Sequence, residues 1–116
     1  MEINTKKFND ILIIGVKGRL DAITAADFEK AVCDLIANGE TKLVFDLGEL
    51  EYISSAGLRA ILFAAKKLKC IDGQVAFACI SGMISEVFEI SGFGTMFEIY
   101  SSALGAAEAL SLKDLP

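Results

Sequence analysis

The 116-residue chain has no histidine. That absence removes Ser-His-Asp catalysis and every histidine-based metal site. A Ser-Lys pair is the serine nucleophile arrangement that remains, but Lys66 stands about three helical turns from Ser55 at 1.5 Å per residue. A catalyst is therefore not expected. Although 53% of the residues are hydrophobic, no apolar run approaches the about 20 residues needed to cross a bilayer, so no membrane insertion is expected. No basic segment followed by a long apolar core opens the chain, so no signal peptide is expected either. There is no dense Lys/Arg block and the net charge is −5, which argues against nucleic acid, whose phosphates would be repelled. The three cysteines, Cys33, Cys70 and Cys79, have no CxxC spacing. They read as buried thiols of a reducing cytoplasm.

What is present is organised around Leu43 to Lys69. Leu43-Val44-Phe45-Asp46-Leu47 is apolar on both faces, the pattern of a strand inside a sheet covered by helices. Gly48 to Ile53 leads to Ser54-Ser55-Ala56-Gly57-Leu58. From Leu58 on, Leu58, Ile61, Leu62, Ala65 and Leu68 recur at amphipathic-helix spacing. Ser54 and Ser55 stand where an N-cap belongs, because a hydroxyl there accepts from an otherwise unpaired backbone N–H. The opposite face carries Arg59, Ala60, Phe63, Lys66 and Lys67. Phe63 among small residues and cations is unusual for a solvated face and suggests a docking surface; the other reading packs it beneath the loop around Phe93.

On either side, the pattern alternates. Glu2–Phe8 and Ile11–Val16, joined by Asn9-Asp10, predict an antiparallel hairpin with the polar strand at a sheet edge. Gly18-Arg19-Leu20-Asp21 reads as a turn. Thr24 is placed to cap a first helix with Asp27 at N3 and Ile23 stapled to Phe28; Phe28, Ala31, Val32, Leu35 and Ile36 form its stripe and Asn38-Gly39 its end. Gln74–Ile80 is a further buried strand. A short helix follows to Ser91-Gly92, then a loop at 93–95, a strand at 96–100, and a helix capped by Ser101-Ser102 with Leu104, Ala107 and Leu110 inward. Residues 111–116 read as a frayed tail. The expected class is a single α/β domain over 1–116, with a mainly parallel sheet of about five strands, an antiparallel edge hairpin and about four helices. Gly92-Phe93-Gly94-Thr95 contains GxG without the rest of a nucleotide-binding loop, a weak phosphate signal against a plain helix end. Asp21, Asp46, Glu49 and Glu51 are candidates to cluster near Ser55, as a divalent-cation site or, more simply, a solvated acidic rim.

Phe45-Asp46-Leu47, then Tyr52-Ile53-Ser54-Ser55-Ala56-Gly57-Leu58-Arg59, resemble the signature of the bacterial STAS domain, and its anti-sigma factor antagonists in particular. Gly18-Arg19-Leu20-Asp21 is similar to a Gly-x-Leu-Asp of that family, which places this Asp near the phosphoacceptor turn. The resemblance extends over nearly the whole chain. It implies a cytoplasmic phosphoprotein without cofactor that binds an anti-sigma factor, itself a serine kinase, and so frees a sigma factor; a serine phosphatase would reset it. By position the acceptor is Ser55. Sporulation-type members have Asp before that serine where this chain has Ser54, which makes Ser54 a competing acceptor. The implied partner surface comprises Asp21, Ser54, Ser55, Ala56 and Gly57, extended by Arg59, Phe63 and Lys66. The alternative is an accessory or scaffold subunit of a lipid-transport or stressosome-like assembly; a small nucleotide-binding module is a third reading.

Overall fold

The computed structural model describes residues 1–112. Strand β1 (Glu2–Phe8) and strand β2 (Ile11–Leu20) form the edge hairpin, turning through Asn9 at φ +54°. Helix α1 (Ala25–Ala37), strand β3 (Lys42–Asp46), strand β4 (Leu50–Ile53), helix α2 (Ser55–Cys70) and strand β5 (Gln74–Ala78) follow. Helix α3 (Gly82–Ser91), helix α4 (Phe93–Met96), strand β6 (Glu98–Tyr100) and helix α5 (Ala103–Leu112) complete the described chain. The sheet runs β1-β2-β3-β5-β6, with β1 antiparallel and the other neighbours parallel. The α/β class, the mainly parallel sheet and the edge hairpin are as the sequence predicts.

The alternation of strand side chains sorts the core into two layers. Leu12, Ile14, Val16, Leu43, Phe45 and Phe77 face α1, α2 and α3, whereas Ile11, Val44, Ala76 and Ala78 face Ala106, Ala107 and Leu110 of α5. Phe77 anchors the first layer: its ring meets those of Phe45, Phe88 and Phe97 at 5.4 to 5.6 Å between centroids. The Phe45 ring stacks on it and the other two meet it edge-on, and ring pairs of this kind contribute beyond the area they bury.

Several expectations require correction. Of the turn expected at Gly18–Asp21, Gly18 to Leu20 is instead the last stretch of β2, which pairs in parallel with β4, a strand that apolar patterning does not reveal; the chain turns only from Asp21. Thr24 makes no side-chain cap bond and Ile23 is 85% exposed, so neither the cap nor the staple forms. Asp21 supersedes both: its carboxylate accepts from the backbone N–H groups of Ile23 and Thr24 at 3.0 and 3.2 Å. Residues 93–95 are not a loop but lie in α4, reached through Gly92 in the left-handed region at φ +79°. Leu104 is exposed, and Ala106 takes its place against the sheet. Ser111 and Leu112 belong to α5, and 113–116 of the expected tail lie outside the described residues. None of the three cysteines is buried; Cys70 is exposed, and Cys33 and Cys79 are intermediate.

Candidate functional site

The site begins where β2 and β4 end together. Gly18 N–H donates to Glu49 O at 3.1 Å, and Ser54 N–H donates to Leu20 O at 3.0 Å. These bonds flank β4 on both sides and hold it to the end of β2, so the first turn of α2 starts beside Leu20. A side chain at position 57 would not allow that approach, because a Cβ there would lie 2.4 Å from Leu20 O. Gly57 thus lets the helix backbone rest directly on the strand. Gly57 is buried for that reason, while Ser55, Arg59 and Lys66 are exposed and Ala56 and Ser54 are intermediate.

The two serines take different roles. Ser54 is the N-cap, with extended backbone at ψ 175°, and its Oγ accepts from Gly57 N–H at 3.2 Å. Ser55 is the first helical residue, and among the described residues its Oγ has no hydrogen-bond partner. Its hydroxyl is exposed at the positive end of a 16-residue helix. Ser54→Ala should lower stability by about 0.5–2 kcal/mol through loss of the cap, read as a lower urea midpoint. Ser55→Ala should leave the stability within about 0.5 kcal/mol of the parent's.

Asp21 is fixed beside this turn. The Thr24 backbone N–H, then the Ile23 N–H and the Arg19 guanidinium, hold its carboxyl below the ordinary range, against a smaller opposing effect of desolvation. Arg19 also lies over the Tyr52 ring at 4.2 Å, tying β2 to β4 by a cation–π contact.

Along α2 the exposed side is a shallow groove. Ser55, Leu58, Arg59, Leu62 and Phe93 line its first part. Arg59 and Leu62 continue into a second part with Glu29, Phe63 and Lys66. Phe63 is 49% exposed and does not pack under Phe93, which is itself buried against Phe88 and Phe97. Leu58 and Leu62, expected in the buried stripe, are partly buried rim residues, and Ala60, expected outside, is fully buried. The buried line is Gly57, Ala60, Ile61, Ala64, Ala65 and Leu68. In a chain of net charge −5, α2 carries Arg59, Lys66, Lys67 and Lys69 and no carboxylate.

The acidic candidates do not form a metal centre. Among the described residues, no group of three or more His, Cys, Asp or Glu could hold an ion. Asp46 and Glu49 instead line a small recess with Asn4, Gly15 and Lys17, where Asp46 accepts from Gly48 N–H at 3.0 Å and Glu49 lies 3.8 Å from Lys17. The GxG segment is a helix end: Thr95 Oγ1 donates to Gly92 O at 2.7 Å, so its hydroxyl is already used. Among the described residues no helix is long and apolar enough to cross a membrane.

The site is thus a helix start held against two strand ends, with an exposed serine beside a cationic, partly apolar groove. Residues 2–106 match the STAS domain, and the chain belongs to that family. It is 37% identical over 109 residues to BtrV of Bordetella bronchiseptica, named as a proposed anti-sigma factor antagonist, with 94% of each chain covered. A crystal structure from Thermotoga maritima, also of a proposed anti-sigma factor antagonist, superposes with a TM-score of 0.87 at 23% identity, covering 92% of each chain. The Bacillus cell fate determinant SpoIIAA in its phosphorylated form shares the fold, with a TM-score of 0.75 at 18% identity over 94% of this chain and 99% of that one.

Proposed function

We propose that this protein is an anti-sigma factor antagonist of the cytoplasm, a binding protein rather than a catalyst, switched by phosphorylation of Ser55. Unmodified, it occupies an anti-sigma factor that is also an ATP-dependent serine kinase, and the sigma factor is released. A serine phosphatase restores the unmodified form. The partner surface is the groove of Ser55, Arg59, Phe63 and Lys66 with the adjoining Asp21, Ser54 and Ala56; Gly57 contributes by seating the helix. The relatives' names support the class of partner.

One observation carries the choice of acceptor: Ser54 Oγ is occupied by the cap while Ser55 Oγ is exposed and unpartnered. Phosphate on Ser55 adds about −1.5 to −2 charges. A helix N-terminus accommodates an anion, so the fold should tolerate the group. The loss of binding then arises at the interface, where that charge would have to leave water. Incubated with its cognate kinase and ATP, the protein should gain one phosphate, and peptide mapping should place it on Ser55. Mapping to Ser54, or no incorporation, would overturn the assignment.

A further inference from the structure

Arg59 is the cation nearest along the helix to the proposed acceptor. Residues four apart on a helix face one another, with Cβ atoms about 6 Å apart, and Ser55 and Arg59 do line one groove. No ion pair engages the Arg59 guanidinium among the described residues. The other cations of this region are committed or distant: Arg19 pairs with Asp21 at 3.7 Å and covers Tyr52, and Lys67 is twelve residues beyond Ser55, about 18 Å along the axis. We infer that Arg59 is a built-in counter-cation for a phosphate on Ser55, so that modification closes an intrahelical phosphoserine–arginine pair. The inference rests on Ser55 as the modified residue.

The chemistry favours this pairing. A guanidinium donates two parallel N–H bonds to a phosphate, shorter and stronger than neutral hydrogen bonds. The phosphate oxygens sit at the first turn, where unpaired backbone N–H groups add to the attraction. Two carboxylates face this region from the neighbouring β2–α1 segment, Asp21 and Glu29. Asp21 is held by Thr24, Ile23 and Arg19. Glu29 shares the second part of the groove with Arg59 without forming an ion pair, and a phosphate near two negative charges outcompetes a single carboxylate. The switch would then do two things at once. It adds an anion at the helix start and withdraws Arg59 from the cationic rim of the groove, leaving Lys66 as the rim cation. A partner that reads Arg59 in the unmodified protein loses that contact when the phosphate arrives.

The test uses the full chain with phosphoserine incorporated at position 55 during translation, so that no kinase is needed. Phosphorus NMR follows the second ionisation of the phosphate through pH in the parent, Arg59→Gln, Arg59→Lys and Lys67→Gln backgrounds. A nearby cation favours the dianion and lowers that pKa. At low salt Arg59→Gln should raise it by about 0.5 pH unit, the size expected of an exposed pair with a doubly charged partner. Arg59→Lys should retain most of the effect, Lys67→Gln should change nothing, and 1 M salt should abolish the difference. Equal values in the parent and Arg59→Gln would overturn the inference, as would an equal shift from Lys67→Gln, which would signal a field of the whole molecule. Either result would leave the choice of acceptor untouched, since that is decided by kinase mapping on the unmodified protein.

Discussion

Ile61→Ala should lower the stability of the protein by about 2–5 kcal/mol, while Phe63→Ala should lower it by less than about 1 kcal/mol and yet weaken partner binding. The residues are two positions apart on α2 and so point in different directions. Ile61 is fully buried among the side chains that join α2 to the sheet. Truncating it removes three methyl or methylene groups from a close-packed layer and leaves a cavity that the fully buried Ala60, Ala64 and Ala65 cannot fill. Phe63 keeps half its surface in water, next to Arg59, Leu62 and Lys66. Its ring is available to a partner, where an aromatic anchor ringed by cations is the composition of a binding hot spot. Urea melts of both variants, together with titration against the anti-sigma partner, give the comparison. A larger loss of stability for Phe63→Ala would place the ring in the core and remove it from the interface.

The same helix shows how much of the fold was legible in the sequence. Its existence, its start at Ser54-Ser55 and its cationic last turn follow from local chemistry, and all are found. Its buried face is rotated from the one that the leucines suggest. Apolar ranking favours Leu58 and Leu62 over alanine, but closeness to the sheet is decided by the small residues. Gly57 brings the first turn down onto Leu20 of β2, Ala60 and Ala64 continue the buried line, and Leu58 and Leu62 are left at the rim. Strand β4 was hidden for another reason. Four residues, one of them the exposed Glu51, offer too short a pattern, and the partner of β4 is the end of β2 some thirty residues earlier, past a register shift at Gly18/Arg19. At α1, the sequence places Thr24 as a cap, whereas the Asp21 carboxylate takes the backbone donors and Thr24 Oγ1 donates to Arg19 O at 2.9 Å. Two side chains with equal local capacity compete there, and the end of β2 decides between them. At the two serines the motif position and the geometry bear on one proposal: the resemblance puts the acceptor at Ser55, and Ser54 Oγ is engaged in the cap bond.

Ser55→Asp should fold like the parent and lose at least thirtyfold in affinity for the anti-sigma partner, about 2 kcal/mol, whereas Ser55→Ala should bind as the unmodified protein does and no longer respond to the kinase. Position 55 is the first residue of α2, so a carboxylate there meets the positive end of the helix, worth about 0.3–1 kcal/mol at an exposed site. It also comes within one turn of Arg59, and an exposed pair of that kind contributes about 0.3–0.5 kcal/mol. Both terms stabilise the free protein and neither favours the complex. On binding, the carboxylate and the guanidinium drawn to it must leave water together, which costs several kcal/mol per ion unless the partner supplies matched groups. A partner surface selected for a neutral hydroxyl and an available arginine supplies neither. The desolvation cost exceeds the favourable terms, and the sign of the effect is set. Calorimetric titration of the two variants against one preparation of the partner decides the matter. Equal affinities, with both proteins shown to be folded by their urea midpoints, would make Ser55 part of the helix start and nothing more, and the groove along α2 would then serve a contact that phosphate does not control.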